Sequence, residues 1–456
     1  MVHHTALLTL PVFLSLSTAT ARIHHSRGEH ASHDHAVSRS LPKRWFHTED
    51  SHPVHKLFNR QEDKTDGQTY AAVGSPEWTA LFPPEIPDAS QMPQEWKDAL
   101  KAAEDAGLIP DIPVTTLDAN GGQPTYPAGI DPAGDEVCNW GYECKHPDDI
   151  WNGLDGYFAV NFDDGPHEGS AKLYDFLAAH ETPIPTTHFV VGRHIRNLPD
   201  LYTRAVEELN ADIAVHTYTH RQLTALSNED VMAELAWTME IIHKSTGGRL
   251  PKFWRPPTGD ADNRIRAIAK GVLGMDMVMW NQDTRDWSIA LGQTTESAVA
   301  AELKTWAEGP KSPGLIVLEH ESSNTSVQLF QDAVPLIEAA GWKWASVAQI
   351  TEGRVDEFGA YSNVDGEGNV AVGVVGEPVE EAADSGNTDA GTGTGATGGD
   401  KGPSTPGTAK PPTGSGSPAN SGNNDLADNS EAEGAAFSVA VSVRYLIAAF
   451  AAVLVL

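Results

Sequence analysis

From Tyr157 onward, short apolar runs alternate with longer amphipathic ones, and nothing else in the sequence restricts the fold as tightly. The apolar runs read as strands over 157–162, 187–191, 212–216, 252–254, 275–280, 314–319 and 343–347. Helical patterns separate them at 170–180, 199–209, 229–244, 263–270, 296–307 and 327–339. The spacing of Leu173, Phe176 and Leu177, and of Val231, Leu235, Met239 and Ile242, follows the 3.6-residue period of a buried helix face. Ser227 and Asp230 resemble a capping box at the start of the third helix. Strict strand–helix alternation implies a parallel sheet, in a barrel or a doubly wound layer. Seven strands favour an incomplete (β/α) barrel over an open sheet, so the fold class expected is α/β.

The ends of the 456-residue chain read differently. Residues 6–17 are apolar but too short to span a bilayer, and Ala19-Thr20-Ala21 is a small-residue cleavage site, so residues 1–21 read as a secretory signal. Residues 22–63 are His-rich and without periodicity. They read as disordered, with Lys43-Arg44 as a possible dibasic processing site. Residues 64–150 read as an extension ahead of a main domain at 151–356, with the function of that extension open. Residues 373–433 are almost entirely Gly, Ser, Thr, Pro, Ala, Asn and acid, too poor in apolar surface to fold, and suit an O-glycosylated stalk. Beyond it, Gly434-Ala435-Ala436, a short spacer and an apolar end form the layout of a glycosylphosphatidylinositol (GPI) signal. Attachment is expected at Gly434, with Asn429 as the second candidate. Such a chain is exported, and its membrane partner is the anchor lipid. In that oxidising setting the two cysteines, Cys138 and Cys144, are expected to form one small-loop disulfide, since two ligands do not make a structural zinc site. Asn324-Thr325-Ser326 is a sequon for a surface N-glycan. A net charge of −32 argues against nucleic acid as a partner and suits a cationic ligand or product.

Within the alternating region, the chemistry-bearing residues fall at or just after strand ends. Asp163 and Asp164 follow the first strand, His216 and His220 the third, residues 255–260 the fourth, residues 283–287 the fifth and His320 the sixth. That rim is where parallel α/β barrels assemble their sites. His216 and His220 lie four apart, a weak signal alone. With one aspartate they form an open two-histidine, one-carboxylate set for a divalent ion such as zinc. Two adjacent carboxylates repel each other. The pair makes sense if one serves the metal and the other stays ionised as a general base.

The segments NFDDGP, HTYTH, RPPTGD, DTRDW and LEH resemble, in order, the five motifs of the polysaccharide deacetylases of carbohydrate esterase family 4. Within that family the chain is most similar to fungal chitin deacetylases. The resemblance implies the family's distorted (β/α) barrel, one bound divalent ion, zinc or cobalt, and hydrolysis of N-acetyl groups in chitin to give chitosan at the cell wall. It further implies Asp163 as catalytic base, Asp164, His216 and His220 as metal ligands, and Arg255 as the group orienting the base. Asp286 then tunes His320, the general acid. Trp287 and Leu318 wall the acetyl methyl, and the backbone N–H of Thr258 is the oxyanion donor. Asp163 and Thr258 are thereby also substrate contacts. Two positions depart from the pattern: Thr258 stands where tyrosine is usual, which puts a sugar contact in doubt, and Asn161 stands where threonine is usual.

The partners expected are chitin, its oligomers and other cell-wall glycans. Two other readings compete. One is a wall-anchored glycan-binding protein without turnover, disfavoured because base, three ligands, arginine, tuning aspartate and acid are all present. The other is an esterase or deacetylase on another acetylated polysaccharide such as xylan.

Overall fold

The computed structural model describes residues 52, 54–58, 70–117, 122–351 and 360–362. The expected signal peptide, the Lys43-Arg44 pair, the stalk and the anchor residues Asn429 and Gly434 lie outside the described residues.

Among the described residues eight strands form one all-parallel sheet. They are β1 (Tyr157–Gly165), β2 (Thr187–Val190), β3 (Asp212–Val215), β4 (Phe253–Trp254), β5 (Asp276–Met277), β6 (Gln282–Asp283), β7 (Leu315–Leu318) and β8 (Lys343–Ser346). Their order is β5-β4-β3-β2-β1-β7-β6, with β8 added on β1. β5 and β6 stand at opposite ends of that order, so the barrel is open between them. The expected (β/α) barrel is present with one strand more than the pattern implied. The run read as 275–280 ends early at Met277, and β6 forms instead against β7. Asn281 sets the switch. Its N–H donates to the Ile316 carbonyl at 3.0 Å, and its side-chain oxygen accepts the Ile316 N–H at 3.0 Å.

β1 is the hub. Tyr157–Val160 pair with β8, Phe158 and Ala159 also pair with β7, and the residues from Asn161 on pair with β2. Because β7 and β8 bind the same residues, they occupy opposite edges, and β8 and β2 follow each other along one of them. At that junction the Val347 N–H donates to Thr187 Oγ1 at 3.0 Å. Seven of the nine β1 residues are buried, as expected for a parallel strand covered on both faces.

The helix Asn228–Ser245 opens as its capping box predicts, with Ser227 accepting the Asp230 N–H. It is buried almost all round because a second layer, residues 54–117, covers the side that faces away from the barrel. Trp96 meets Trp237 edge to face at 5.1 Å, and Trp78 Nε1 donates to Ser245 Oγ at 3.0 Å. Residues 54–58, read from sequence as part of a patternless tract, belong to this layer. Val54, Leu57 and Phe58 are buried, and the Leu57 carbonyl accepts from Trp96 Nε1 at 3.1 Å. One turn of helix, Val54–Leu57, is too short to show a period. The helices expected at 199–209 and 263–270 start as α-helix and widen into π turns over Arg204–Glu208 and Ala267–Val272. Cys138 and Cys144 are disulfide-bonded, with an S–S distance of 2.04 Å. Asn324 is exposed at the first turn of the helix Asn324–Ala339, its amide donating to Glu168 at 2.9 Å.

Candidate active site

β1 carries Asn161, Asp163 and Asp164 to the C-terminal rim of the sheet. Alternation along a regular strand would send adjacent carboxylates to opposite faces. A φ of 72° at Asp164, within an irregularity of the β1–β2 register, breaks that alternation. Both acids therefore reach one nitrogen: His216 Nε2 lies 3.7 Å from Asp163 Oδ2 and 3.4 Å from Asp164 Oδ1.

Arg255, fully buried after β4, holds Asp163 from the other side. Its Nη1 donates to Asp163 Oδ1 at 2.6 Å and to Asn161 Oδ1 at 2.7 Å. Nε and Nη2 donate to the carbonyls of Val278 and Met279 at 3.1 and 3.2 Å. A buried guanidinium is tolerated only when its donors are satisfied in this way. Burial pushes Arg255 down from its ordinary value, with Asp163 opposing. Asn161, whose substitution for threonine had no evident consequence in the sequence, fixes this arrangement. Its amide nitrogen binds the carbonyls of Ala159 and Val317, so it ties β1, β7 and Arg255 together.

His216 Nδ1 donates to the Arg255 carbonyl at 2.8 Å, and a carbonyl can only accept. Nε2 of His216 therefore keeps its lone pair toward Asp164. His220 Nε2 lies 3.2 Å from the same Asp164 oxygen. One ligand atom from each of Asp164, His216 and His220 falls within 4.8 Å of the others. Asp164 Oδ1 is buried and makes no hydrogen bond. Two imidazole nitrogens and an orphaned carboxylate oxygen form a donor set that fits zinc or cobalt. Burial works against the Asp164 charge, yet the two histidines beside it, His220 above all, hold the carboxyl well below its usual range. Positive charge is favoured at this point.

His320 stands beside Asp163 because the chain after β7 continues as a bridge to β1. The Asp163 N–H donates to the Glu319 carbonyl at 2.9 Å, and the Glu321 N–H to the Asp163 carbonyl at 3.2 Å. Asp286 grips His320 twice, accepting Nδ1 at 2.6 Å on one oxygen and the backbone N–H at 3.0 Å on the other. Burial disfavours the imidazolium, but Asp286 outweighs it, and His320 is pushed up to about 10.

The remaining expected residues sit around this centre. Thr258 is exposed in the turn Pro257–Gly259 at φ 56°, and its hydroxyl accepts from Gln222 at 3.4 Å. Leu318 is buried at the end of β7, and Trp287, half-buried, donates its backbone N–H to Asp286 at 2.9 Å.

Sequence reasoning missed three supports. His194 donates Nδ1 to the Asp164 carbonyl at 2.8 Å, and burial lowers it to about 4, so it acts as a neutral donor at the bent residue. Glu321 and His188 form a fully buried pair at 2.8 Å, packed so closely on Gly165 that a Cβ there would strike the carboxylate. Asn161 is the third. Only Asn161 had a legible signal, since it shares the strand face of Asp163 two residues on.

A family profile described as polysaccharide deacetylase matches residues 153–278. Chitin deacetylase 3 of Cryptococcus neoformans var. neoformans serotype D is 37% identical over 68% of this chain and 72% of that protein. The chitin deacetylase of Amylomyces rouxii is 35% identical over 51% of this chain and 56% of its own length. The solved structure of the chitin deacetylase from the fungal pathogen Colletotrichum lindemuthianum aligns with 44% of this chain and 90% of its own, at 25% identity and a TM-score of 0.40. With more than a third of its residues shared with a curated relative across two thirds of both proteins, the chain belongs to the chitin deacetylase family of polysaccharide deacetylases.

Proposed function

We propose that this chain hydrolyses the N-acetyl groups of N-acetylglucosamine units in chitin, giving chitosan and acetate. The observation that carries the reading is the arrangement around Asp163: Arg255 bonded to one oxygen, the Asp164–His216–His220 cluster on the other side, and the Asp286-bound His320 across the bridge. A divalent ion held by Asp164, His216 and His220 would polarise the acetyl carbonyl and acidify the attacking water. Asp163 Oδ2, left over from the Arg255 bond, takes the proton of that water. The Thr258 N–H supplies a donor to the oxyanion. His320, charged and anchored through Nδ1, presents Nε2 and gives its proton to the departing amine. Trp287 and Leu318 enclose the methyl group.

The address belongs to the same reading. Residues 1–21 direct export, and a lipid at Gly434 or Asn429 holds the enzyme on the outer face of the plasma membrane, facing wall chitin. A net charge of −32 suits release of a polymer that becomes cationic as acetyl groups leave.

The test is acetate release from N-acetylglucosamine oligomers, with chelator and after return of zinc or cobalt. Activity is expected to vanish with chelator and to return with metal. Asp164→Asn should lose metal content, whereas Asp163→Asn should keep the metal and lose turnover. Chelator-resistant activity, or the reverse pattern in the two variants, would show the ligand and base assignments to be wrong. Acetate release from acetylated xylan but from no chitin oligomer would move the substrate to xylan.

A further inference from the structure

A polymer threaded past the reacting acetyl group must be held by sugar units on either side of it. The largest aromatic side chains of the core, Trp78, Trp96 and Trp254, are 0–1% exposed. Trp140 and Trp280 are only half-buried, and both lie on the turn that carries Thr258. Gly259, at φ +73°, makes this possible, because a Cβ there would sit 3.0 Å from Trp140 and 3.3 Å from Trp280. The two indoles meet edge to face at 6.0 Å. Trp280 also lies 5.7 Å from the guanidinium carbon of Arg255, which grips Asp163. An unbroken line of contacts thus runs from the proposed base through Arg255 and Trp280 to Trp140.

Trp140 comes from outside the barrel. It sits in the loop closed by Cys138 and Cys144. That loop is docked on the active-site turn. The Trp140 N–H donates to the Ala261 carbonyl at 3.1 Å, and Asn139, fully buried, donates to Asp260 at 3.1 Å. Arg266 donates to the Cys138 carbonyl from the barrel side. A disulfide and three hydrogen bonds hold a half-exposed indole beside the turn that carries Thr258. The ring packs on the edge of the core and keeps part of its surface exposed.

We infer that Trp140 and Trp280 form a sugar-stacking subsite, taking an N-acetylglucosamine unit of the same polymer that is being deacetylated. The flat C–H face of a pyranose is apolar and matches the face of an indole, as planar rings stack on aromatic side chains elsewhere. The inference rests on the chitin reading above. It gives the extension ahead of the barrel a role in choosing long substrates.

The full-length protein is compared as wild type, Trp140→Ala, Trp140→Phe and the double variant Cys138→Ser/Cys144→Ser. The readout is the ratio of kcat/KM on an N-acetylglucosamine hexamer to kcat/KM on an activated acetate ester. The ratio should fall about tenfold in Trp140→Ala, mainly through KM, and should largely recover in Trp140→Phe. The double cysteine variant should fall in the same direction. An unchanged ratio, whether activity is kept or lost equally on both substrates, would overturn the subsite and leave Trp140 a packing residue. Hexamer affinity, measured with Trp140→Ala added to Asp163→Asn, reads the subsite without turnover and should weaken by about tenfold. If wild type deacetylates no chitin oligomer, the chitin reading fails, and this affinity still decides for or against the stacking site.

Discussion

Asp286 and His320 show how two side chains divide one task. Asp286 spends both oxygens on His320, one on the ring and one on the backbone, so the imidazole is fixed in position as well as in charge. A histidine that acts as an acid is active only while protonated, so activity is lost as pH rises through its pKa. With His320 pushed up to about 10, against the cost of burial, that alkaline limb lies far above neutrality. Asp286→Asn removes the stabilising charge, the pKa falls, and the limb moves to lower pH. His320→Ala should cost about 10²–10⁴-fold on the amide substrate and much less on an activated ester, whose leaving group needs no proton. The pH profile of kcat/KM and the two-substrate comparison check both statements. An alkaline limb unmoved in Asp286→Asn, or equal losses on both substrates, would take the acid role away from His320. These residues were legible in the sequence because a parallel sheet brings the ends of all its strands to one rim. Their supports, Asn161 apart, were not. His194 and His188 act through contacts made only once β1, β2 and the chain after β7 are assembled, and no spacing announces them.

At the scale of elements, β1 and the helix Asn228–Ser245 carry the fold. β1 is legible as an apolar run interrupted by Asn161, and the helix as a capped amphipathic one. The helix also buries the face that an amphipathic pattern leaves to solvent. Its covering layer is held by Trp78, Trp96 and Phe58, which touch residues far away in sequence, so periodicity has nothing to report. Trp96 is 1% exposed, stacks edge-on against Trp237 and binds the Leu57 carbonyl. Trp96→Ala should therefore destabilise by about 3–5 kcal/mol, since a large buried ring is lost and its cavity remains. Chemical denaturation of the full-length protein measures this. A loss below about 1 kcal/mol would mean that the layer contributes little to the barrel, which is the effect of an ordinary surface substitution.

For the whole molecule, the proposed anchor would hold the chemistry at its polymer. A short-range hydrolase acting on an insoluble wall polymer gains from being held at that polymer. Treatment of cells with phosphatidylinositol-specific phospholipase should release the enzyme, and deletion from Phe437 onward should send it to the medium. Recovery of Leu456 at the mature C-terminus would exclude lipid exchange at Gly434 or Asn429. At the other end, the segment Val54–Phe58 is pinned under Trp96. A cut at the proposed Lys43-Arg44 site would leave this segment on the enzyme. A recombinant protein begun at residue 64 would keep every proposed catalytic side chain and yet uncover the indole of Trp96, and such a truncation is the wrong starting point for crystallisation or assay.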